Sequence, residues 1–163
     1  MVIRNMKPSD WEEVARIYLE GIATGFATFE TKAPTYEHWD KAHTKECRFI
    51  AENDGEIMGW AALSPVSSRC VYGGVGEVSV YISDKSRGKG VGKLLMRHLI
   101  DTSEKAGFWT IQSGIFPENA GSIKLHEKMG FRYIGKRERV GKIHGVWKDN
   151  LLFEKRSSKV GID

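Results

Sequence analysis

The feature that most constrains the fold is a β-rich segment that runs through a glycine-rich turn into an amphipathic helix. It reads GEVSVYISDKSRGKGVGKLLMRHLI from Gly76 to Ile100. The first part is rich in β-branched residues and predicts a strand. The apolar residues after the turn recur with helical spacing and predict a helix from about Val91 to Lys105, which Gly107 ends. A chain with this core element has to place a helix directly behind a strand of its sheet.

The turn itself predicts an anion site. A strand that enters a helix through glycines directs several free backbone amides to one point, and the helix dipole adds positive charge there. Glycine also permits positive φ and lets a bulky anion approach the backbone. The basic side chains around the turn add attraction for a phosphate or pyrophosphate; they are Lys85, Arg87, Lys89 and Lys93.

Two common phosphate motifs do not fit this turn. No register of the glycines gives the Walker A pattern, so no hydroxyl is placed for magnesium. The dinucleotide pattern would require glycine at Lys93 or at Leu95. The pattern that remains is R-x-x-G-x-G, formed by Arg87, Gly90 and Gly92. A solvated basic surface turn without a ligand is the alternative interpretation of the same residues.

The rest of the chain alternates between strands and helices. The order predicts one mixed α/β or α+β domain over residues 1–163, with a polar tail from about residue 156. A net charge of +4 suits anionic ligands and is too mild to indicate nucleic acid. Cys47 and Cys70 form no CxxC pair, which favours a reduced, cytoplasmic location. The sequence predicts no signal peptide and no membrane helix.

Other chemistry finds less support. The histidines show no metal-ligand spacing, and the H-E-x-x-H pattern that His126 begins fails at Gly130. Neither cysteine has the neighbours of a nucleophile, so an acyl-cysteine intermediate is not expected. A binding module for RNA or acyl-CoA is the non-enzymatic alternative. RNA modules interleave aromatic and basic residues on strands, whereas the basic cluster here lies at a helix start.

Two segments carry a family resemblance. VSVYISDKSRGKGVGKLL resembles the acyl-coenzyme A segment of the GNAT superfamily of N-acetyltransferases, and PENAGSIKLHEKMGF resembles its later helix and turn. The resemblance implies the GNAT fold, a mixed and mostly antiparallel sheet of about seven strands with about four helices. It also implies acetyl-CoA as acyl donor, and the histidine spacing gives no reason to expect a metal. In that family the strand before the turn splays from its neighbour and pairs with the pantetheine arm.

The resemblance assigns cofactor residues. The amides of the glycine turn would hold the pyrophosphate, the strand before it would contact pantetheine through its backbone, and a side chain of the later helix would meet the same ligand. The set is Val80, Tyr81, Ile82, Arg87, Gly88, Lys89, Gly90, Val91, Gly92, Lys93, Asn119 and Ser122.

Three further segments, TFETKAPTYEHW, SRCVYGGVGEVSVYI and GKIHGVWKD, together look like the phosphinothricin N-acetyltransferases. These enzymes acetylate the α-amine of compact amino acids such as phosphinothricin and methionine sulfoximine or sulfone, and are often homodimers. A protein N-terminus, a lysine or a polyamine is the alternative acceptor.

The reaction needs a base, because an amine is mostly protonated at neutral pH. A partly desolvated carboxylate suits this task. Strand alternation places Glu77, Ser79 and Tyr81 on one face, unless a bulge intervenes. The resemblance makes Glu77 the base, directly or through water; a solvated carboxylate at an exposed strand end is the alternative.

Two histidines are further catalytic candidates. The resemblance places His144 at the acceptor pocket, where it would relay a proton. His126 stands where most GNAT members carry a tyrosine acid, and would protonate the leaving thiolate unless solvent does so. Each histidine has an ordinary interpretation, as a turn residue and as a helix residue packed near the cofactor.

The acceptor pocket is predicted from the resemblance as well. An acidic substrate needs a fork-shaped cation, which Arg69 would supply, near Tyr72. Phe29 would cover the aliphatic part of the substrate, and Val78 lies beside the base. Glu30 stands where herbicide-resistance members tend to carry a basic residue, and would repel an acidic substrate if it lined the pocket. We expect direct transfer in a ternary complex.

Overall fold

Seven strands form one sheet in the computed structural model, which describes residues 1–163. Their order is β1-β2-β3-β4-β5-β7-β6, and every neighbouring pair is antiparallel except β4 with β5. With four helices this confirms the predicted mixed, mostly antiparallel α+β architecture. The elements are β1 Val2–Asn5, α1 Trp11–Ala23, α2 Tyr36–Ala42, β2 Arg48–Asn53, β3 Glu56–Pro65, β4 Val75–Ile82, α3 Val91–Lys105, β5 Thr110–Ile115, α4 Ala120–Lys128, β6 Arg132–Ile143 and β7 Val146–Arg156.

The sheet is covered on both faces. On one face α3 packs against apolar side chains of the strands in a cluster of 13 buried residues that includes Leu95 and Leu99. On the other face α1 and α2 cover a smaller cluster around Trp39 and Trp60. Strand β4 serves both, because Val78, Val80 and Ile82 pack toward α3 while Tyr81 packs toward α1. The period of a strand thus distributes its side chains between two layers.

Helix α2 is shorter than its sequence pattern suggests. The sequence predicts a short helix from about Tyr36 to Lys45, whereas the helix ends at Ala42 and His43 is extended. The guanidinium of Arg48 donates hydrogen bonds to the carbonyl oxygens of Asp40, His43 and Thr44. These are carbonyls at the end of a helix, so a distant side chain from β2 takes over their pairing.

The sheet opens in its middle. Strands β4 and β5 pair over only three positions, from Val75 with Thr110 to Glu77 with Gln112. Beyond Glu77 the two strands diverge, while β4 stays paired with β3 as far as Ile82. The register of β4 with β3 shows no shift, so no bulge disturbs its alternation. A wedge with one unpaired strand edge therefore lies directly after Glu77.

Strand β6 is bulged and longer than predicted. The sequence predicts a strand over about Phe131–Val140, but β6 runs from Arg132 to Ile143 with a register shift between Arg137 and Gly141. Within the shift Arg139 has a φ of 43°, and its amide donates to Oδ1 of Asp149 at 2.8 Å. Extra residues in one strand bend it locally. The bend brings β6 against the wedge.

None of the four helices has the length and apolar character that a membrane-spanning segment requires.

Candidate active site

The wedge between β4 and β5 widens into a cavity of about 610 Å³. Its walls come from β4, β5, the bulged part of β6, β7, α4 and the loop after α1. A second groove shares Val80, Tyr81, Asn119 and Ser122 with the cavity and reaches Arg87 at the glycine turn. The lining of the cavity includes Thr28, Phe29, Glu77, Val78, Ser79, Val80, Tyr81, Ser113, Gly114, Phe116, Asn119, Ser122, His126, Arg137, Gly141, Lys142 and Asn150.

The glycine turn has the properties that a pyrophosphate needs. The amides from Gly88 to Lys93 donate no hydrogen bond within the chain, and no side chain caps the N-terminus of α3. Gly88 and Gly90 have φ values of 74° and 81°, and a Cβ atom at either would meet nothing within 4 Å. Free amides at the positive end of a 15-residue helix fit an anion. The turn therefore fits the diphosphate of acetyl-CoA.

The side chains of the turn contribute less than its backbone. Arg87 pairs with Asp84 at 2.8 Å, and Lys85 pairs with Glu56. Lys89 and Lys93 are exposed and take part in no ion pair. The side chain of Val91 is buried in the core, so only its amide is available to a ligand. Among the predicted cofactor residues of the turn, the backbone supplies most of the convergent donors.

Strand β4 offers its backbone to the groove, as the resemblance implies. From Val78 to Ile82 its edge toward β5 has no strand partner. The side chain of Tyr81 is occupied elsewhere, because it stacks on Trp60 with ring centroids 4.9 Å apart. Burial raises the pKa of the Tyr81 hydroxyl well above its usual range, so this residue stays neutral.

Asn119 and Ser122 lie at the start of α4, where the two grooves meet. Oδ1 of Asn119 accepts a hydrogen bond from the amide of Ser122 at 3.2 Å and caps the helix. This bond fixes the rotamer of Asn119, and its Nδ2 donates to no group of the chain. The structure thus brings both predicted cofactor residues to the middle of the cleft.

His126 is buried and held on both sides. Its Nδ1 lies 2.7 Å from the carbonyl oxygen of Ser122, which can only accept, so Nδ1 carries the hydrogen. Nε2 then accepts from the hydroxyl of Ser113, also at 2.7 Å. Burial lowers the pKa of His126, although the bond to Ser122 opposes this. The ring is therefore neutral near pH 7, and its predicted role as an acid stays a prediction.

Glu77 stands at the opening of the wedge. Its side chain is exposed to the cavity, but protein atoms surround it on the other sides. This desolvation raises the pKa of the Glu77 carboxyl above its usual value, and the positive charge of Arg137 opposes the rise. A carboxylate with a raised pKa, next to a cavity and facing a cation, is suited to proton transfer.

Phe29 covers the cavity from the loop after α1. Its ring meets Phe116 edge-on, with centroids 4.7 Å apart. A Cβ atom at position 141 would come within 2.7 Å of the Phe29 ring, so Gly141 in the bulge of β6 makes room for it. Glu30 is exposed and does not line the cavity. The prediction that Glu30 repels an acidic substrate required Glu30 to line the pocket, and it does not.

Three of the predicted catalytic and acceptor-binding residues lie outside the cavity. The Arg69 guanidinium stacks over the ring of Tyr72 at 5.5 Å, and both side chains are exposed beside a short 3₁₀ turn. His144 occupies the tight turn between β6 and β7 with a φ of 48° and is exposed. None of these side chains lines the cavity or the groove that leads to Arg87. Sequence proximity to Glu77 or to a resembling motif did not fix the direction of these side chains.

The sequence reasoning missed several polar residues of the cavity, among them Arg137 and Asn150. Arg137 lies in GKRERVGK among several basic residues, and nothing distinguishes it there. Asn150 carried a signal, because asparagine is depleted in strands and this one interrupts the strand WKDNLLFE. No group of three or more His, Cys, Asp or Glu side chains in the structure could hold a metal ion.

The chain is similar in sequence to known acetyltransferases. The profile of the acetyltransferase (GNAT) family matches residues 11–131. The phosphinothricin N-acetyltransferase of Streptomyces viridochromogenes is 30% identical over 151 residues, which cover 90% of this chain and 82% of that protein. The L-methionine sulfoximine/L-methionine sulfone acetyltransferase of Pseudomonas aeruginosa is 36% identical over 95 residues, covering 58% of this chain and 55% of that protein.

A solved structure shares the whole architecture. The crystal structure of a GNAT superfamily phosphinothricin acetyltransferase from Sinorhizobium meliloti, in complex with acetyl-CoA, superposes with a TM-score of 0.89. The two chains are 26% identical, and the match covers 99% of this chain and 91% of that one.

Proposed function

The chain belongs to the GNAT family of acetyltransferases and is an acetyl-CoA-dependent N-acetyltransferase, and we propose that its acceptor is the α-amine of a small amino acid of the phosphinothricin or methionine sulfoximine type. The observation that carries the proposal is the continuous cleft from the glycine turn to Glu77. One end has free amides for a diphosphate, and the other has a partly desolvated carboxylate beside an open cavity of about 610 Å³.

The residues of this chain divide the work along the cleft. Acetyl-CoA, when bound, supplies the acetyl thioester, whose acyl carbon ends on the acceptor nitrogen while CoA leaves as the thiol. The amides from Gly88 to Lys93 would hold its diphosphate, and the free edge of β4 would bind its pantetheine arm. Glu77 would take the proton that the acceptor ammonium gives up, directly or through water. Phe29 and Val78 would exclude water around the acceptor.

The other predicted residues could take part in the reaction only after a local rearrangement. His126 would protonate the thiolate only if its Nε2 released the hydrogen bond from Ser113 and carried a proton itself. His144 would relay a proton only if its turn moved toward the cavity. Arg69 and Tyr72 would meet an acceptor only at the outer rim.

A thiol-release assay tests the proposal. We expect acetyl-CoA with L-methionine sulfoximine, L-methionine sulfone or phosphinothricin to release CoA at a rate that saturates with the acceptor. Spermidine, a lysine-containing peptide and a peptide with a free N-terminal alanine serve as the competing acceptors. Faster turnover of any of these would overturn the assignment of an amino-acid acceptor and leave the acetyltransferase reaction standing.

We also propose that the protein forms a homodimer through the β6–β7 hairpin. Tyr133, Val146 and Trp147 each expose more than half of their surface there. Strand β6 is the last strand of the sheet, so its outer edge has no partner. An unpaired edge with exposed apolar side chains supports association with a second copy.

A further inference from the structure

Asn150 is a buried polar side chain that lacks a partner. It lies on β7, is 8% exposed, and lines the cavity. Its side-chain amide forms no hydrogen bond within the chain, and its polar atoms are not fully enclosed by protein, so they are open to the cavity. The fold makes room for it, because a Cβ atom at Gly114 would come within 2.4 Å of its Oδ1. A side-chain amide that the fold accommodates, leaves unpaired and opens to a cavity is available to a molecule bound there.

Arg137 lies directly across from Asn150 on β6. It also lines the cavity, and its guanidinium takes part in no ion pair and no hydrogen bond of the chain. The other cation of the cavity wall, Lys142, places its Nζ over the ring of Trp147 at 5.1 Å. Arg137 is therefore the cavity cation whose charge is not already engaged by a neighbouring side chain.

The two residues share a face of the sheet with Glu77. Glu77 pairs with Gln112, and on β5 the residues Gln112 and Gly114 face the same way. Asn150 fills the space over Gly114, and Arg137 is its cross-strand neighbour. The cavity thus has a carboxylate on β4 and a cation with an amide on β6 and β7. Glu77 and Arg137 make no ion pair, so a gap separates them.

We propose that Arg137 and Asn150 bind the carboxylate of the amino-acid acceptor while Glu77 faces its amine. This inference rests on the proposed function. An α-amino acid carries an amine and a carboxylate on one carbon, and it would fill a gap with one anionic and one cationic wall. The planar guanidinium matches a carboxylate, and the asparagine Nδ2 supplies a further donor. Both residues lie in the cavity and not in the groove that leads to Arg87.

The first test varies the acceptor and Arg137 together. Kinetics are measured with L-methionine sulfone and with its carboxamide, which keeps the amine and loses the negative charge. The wild type should prefer the free acid, and Arg137→Gln should raise the KM for the acid about 10- to 100-fold with little change for the carboxamide. Lys136→Gln is the matched control, because it removes the same charge from the neighbouring position outside the cavity.

The second test addresses Asn150. Asn150→Asp keeps the size of the side chain and adds a negative charge, so it should raise the KM for the acid and favour the carboxamide. Asn150→Ser removes the amide without adding volume. It should raise the KM for the free acid and leave the KM for the carboxamide nearly unchanged. Circular dichroism and thermal melts establish that both variants fold. If the ratio of the KM for the acid to the KM for the carboxamide is unchanged in the folded variants, Asn150 does not bind the carboxylate.

The outcomes separate this inference from the proposed function. If L-methionine sulfone is acetylated and Arg137→Gln leaves the preference for the free acid unchanged, the carboxylate site is wrong while the function stands. If no amino acid is acetylated and none binds by calorimetry in the presence of CoA, the proposed function fails and the inference fails with it. If Arg69→Ala loses the preference for the free acid over the carboxamide and Arg137→Gln keeps it, the carboxylate binds at Arg69 and not at Arg137.

Discussion

At the scale of single residues, the chemistry of the site follows from partial burial. The sequence identified Glu77 as a charged residue in an otherwise apolar strand, and the structure places it beside a cavity. The sequence did not indicate that Arg137 faces this carboxyl, because the two residues are 60 positions apart on strands that are not neighbours. The sequence gives the type of each residue, but it does not show which charged side chains face each other in the fold.

Glu77→Gln should lower kcat by about 100- to 10,000-fold, the usual contribution of a general base. The pKa of Glu77 is raised, so the active ionised form is lost as the pH falls through that raised pKa. The wild-type rate should therefore rise with pH through this range, and the variant should lose this dependence. Stopped-time thiol release between pH 5 and 9 measures both effects. A variant profile that kept the wild-type shape would assign the base to another group.

At the scale of elements, the strand, glycine turn and helix were predicted nearly residue by residue. Helix α3 begins at Val91 and ends at Lys105 as its apolar spacing indicates. Local sequence suffices there because the turn requires positive φ and the helix has one apolar stripe. The bulge in β6 was missed, since it depends on Phe29 and Asp149 contacting the strand from elsewhere in the chain.

Gly90→Val should raise the KM for acetyl-CoA at least about 10-fold, because a branched side chain at the helix start blocks approach to the free amides. The substitution also strains a residue with a φ of 81°, at a cost of about 1–2 kcal/mol. Gly107→Val is the matched control, since Gly107 has a φ of 92° just beyond the C-terminal end of α3, at the opposite end of the helix from the glycine turn. Steady-state kinetics and thermal melts measure both variants. Equal effects of the two substitutions on KM would mean that strain alone acts.

At the scale of the whole molecule, contacts between distant segments hold the sheet and its flanking layers together. Arg4 on β1 donates hydrogen bonds to both carboxylate oxygens of Asp10 at 2.9 Å and to Glu52 on β2, also at 2.9 Å. The bond from Arg4 holds the pKa of the buried Asp10 below its usual value, against the effect of desolvation. This network ties the first strand to the start of α1.

The network predicts a loss of stability in acid. The folded-state pKa of Asp10 is depressed, so its contribution is complete above the unfolded value near 3.8 and is lost as the pH falls toward the folded pKa. Arg4→Met should lower the free energy of unfolding by about 1–3 kcal/mol at pH 7. The difference from wild type should shrink as the pH falls below about 4. Urea titrations at pH 7 and pH 3 measure it, and a difference that stays constant would contradict the assignment.

The proposed homodimer gives the last prediction. Light scattering after size exclusion should give twice the mass of one chain, and Trp147→Glu should shift the protein to a monomer by placing a charge in the apolar contact. Leu19→Glu is the matched control, because Leu19 is an exposed apolar residue on α1, away from the hairpin. A wild-type mass equal to one chain, or a dimer in the Trp147 variant, would rule out this surface.

The sequence by itself determined the family, the order of the elements and the glycine turn that we propose binds a diphosphate, because each depends on residues that are close together along the chain. Local spacing fixes helices and strands, and a glycine at positive φ is needed whatever surrounds it. Only the tertiary structure decided which side chains share the cavity. Splaying of β4 from β5 and the bulge of β6 bring Glu77, Arg137 and Asn150 together, while Arg69 and His144 are directed elsewhere. Side-chain direction on bulged strands and tight turns depends on packing against distant residues, and no local pattern records it.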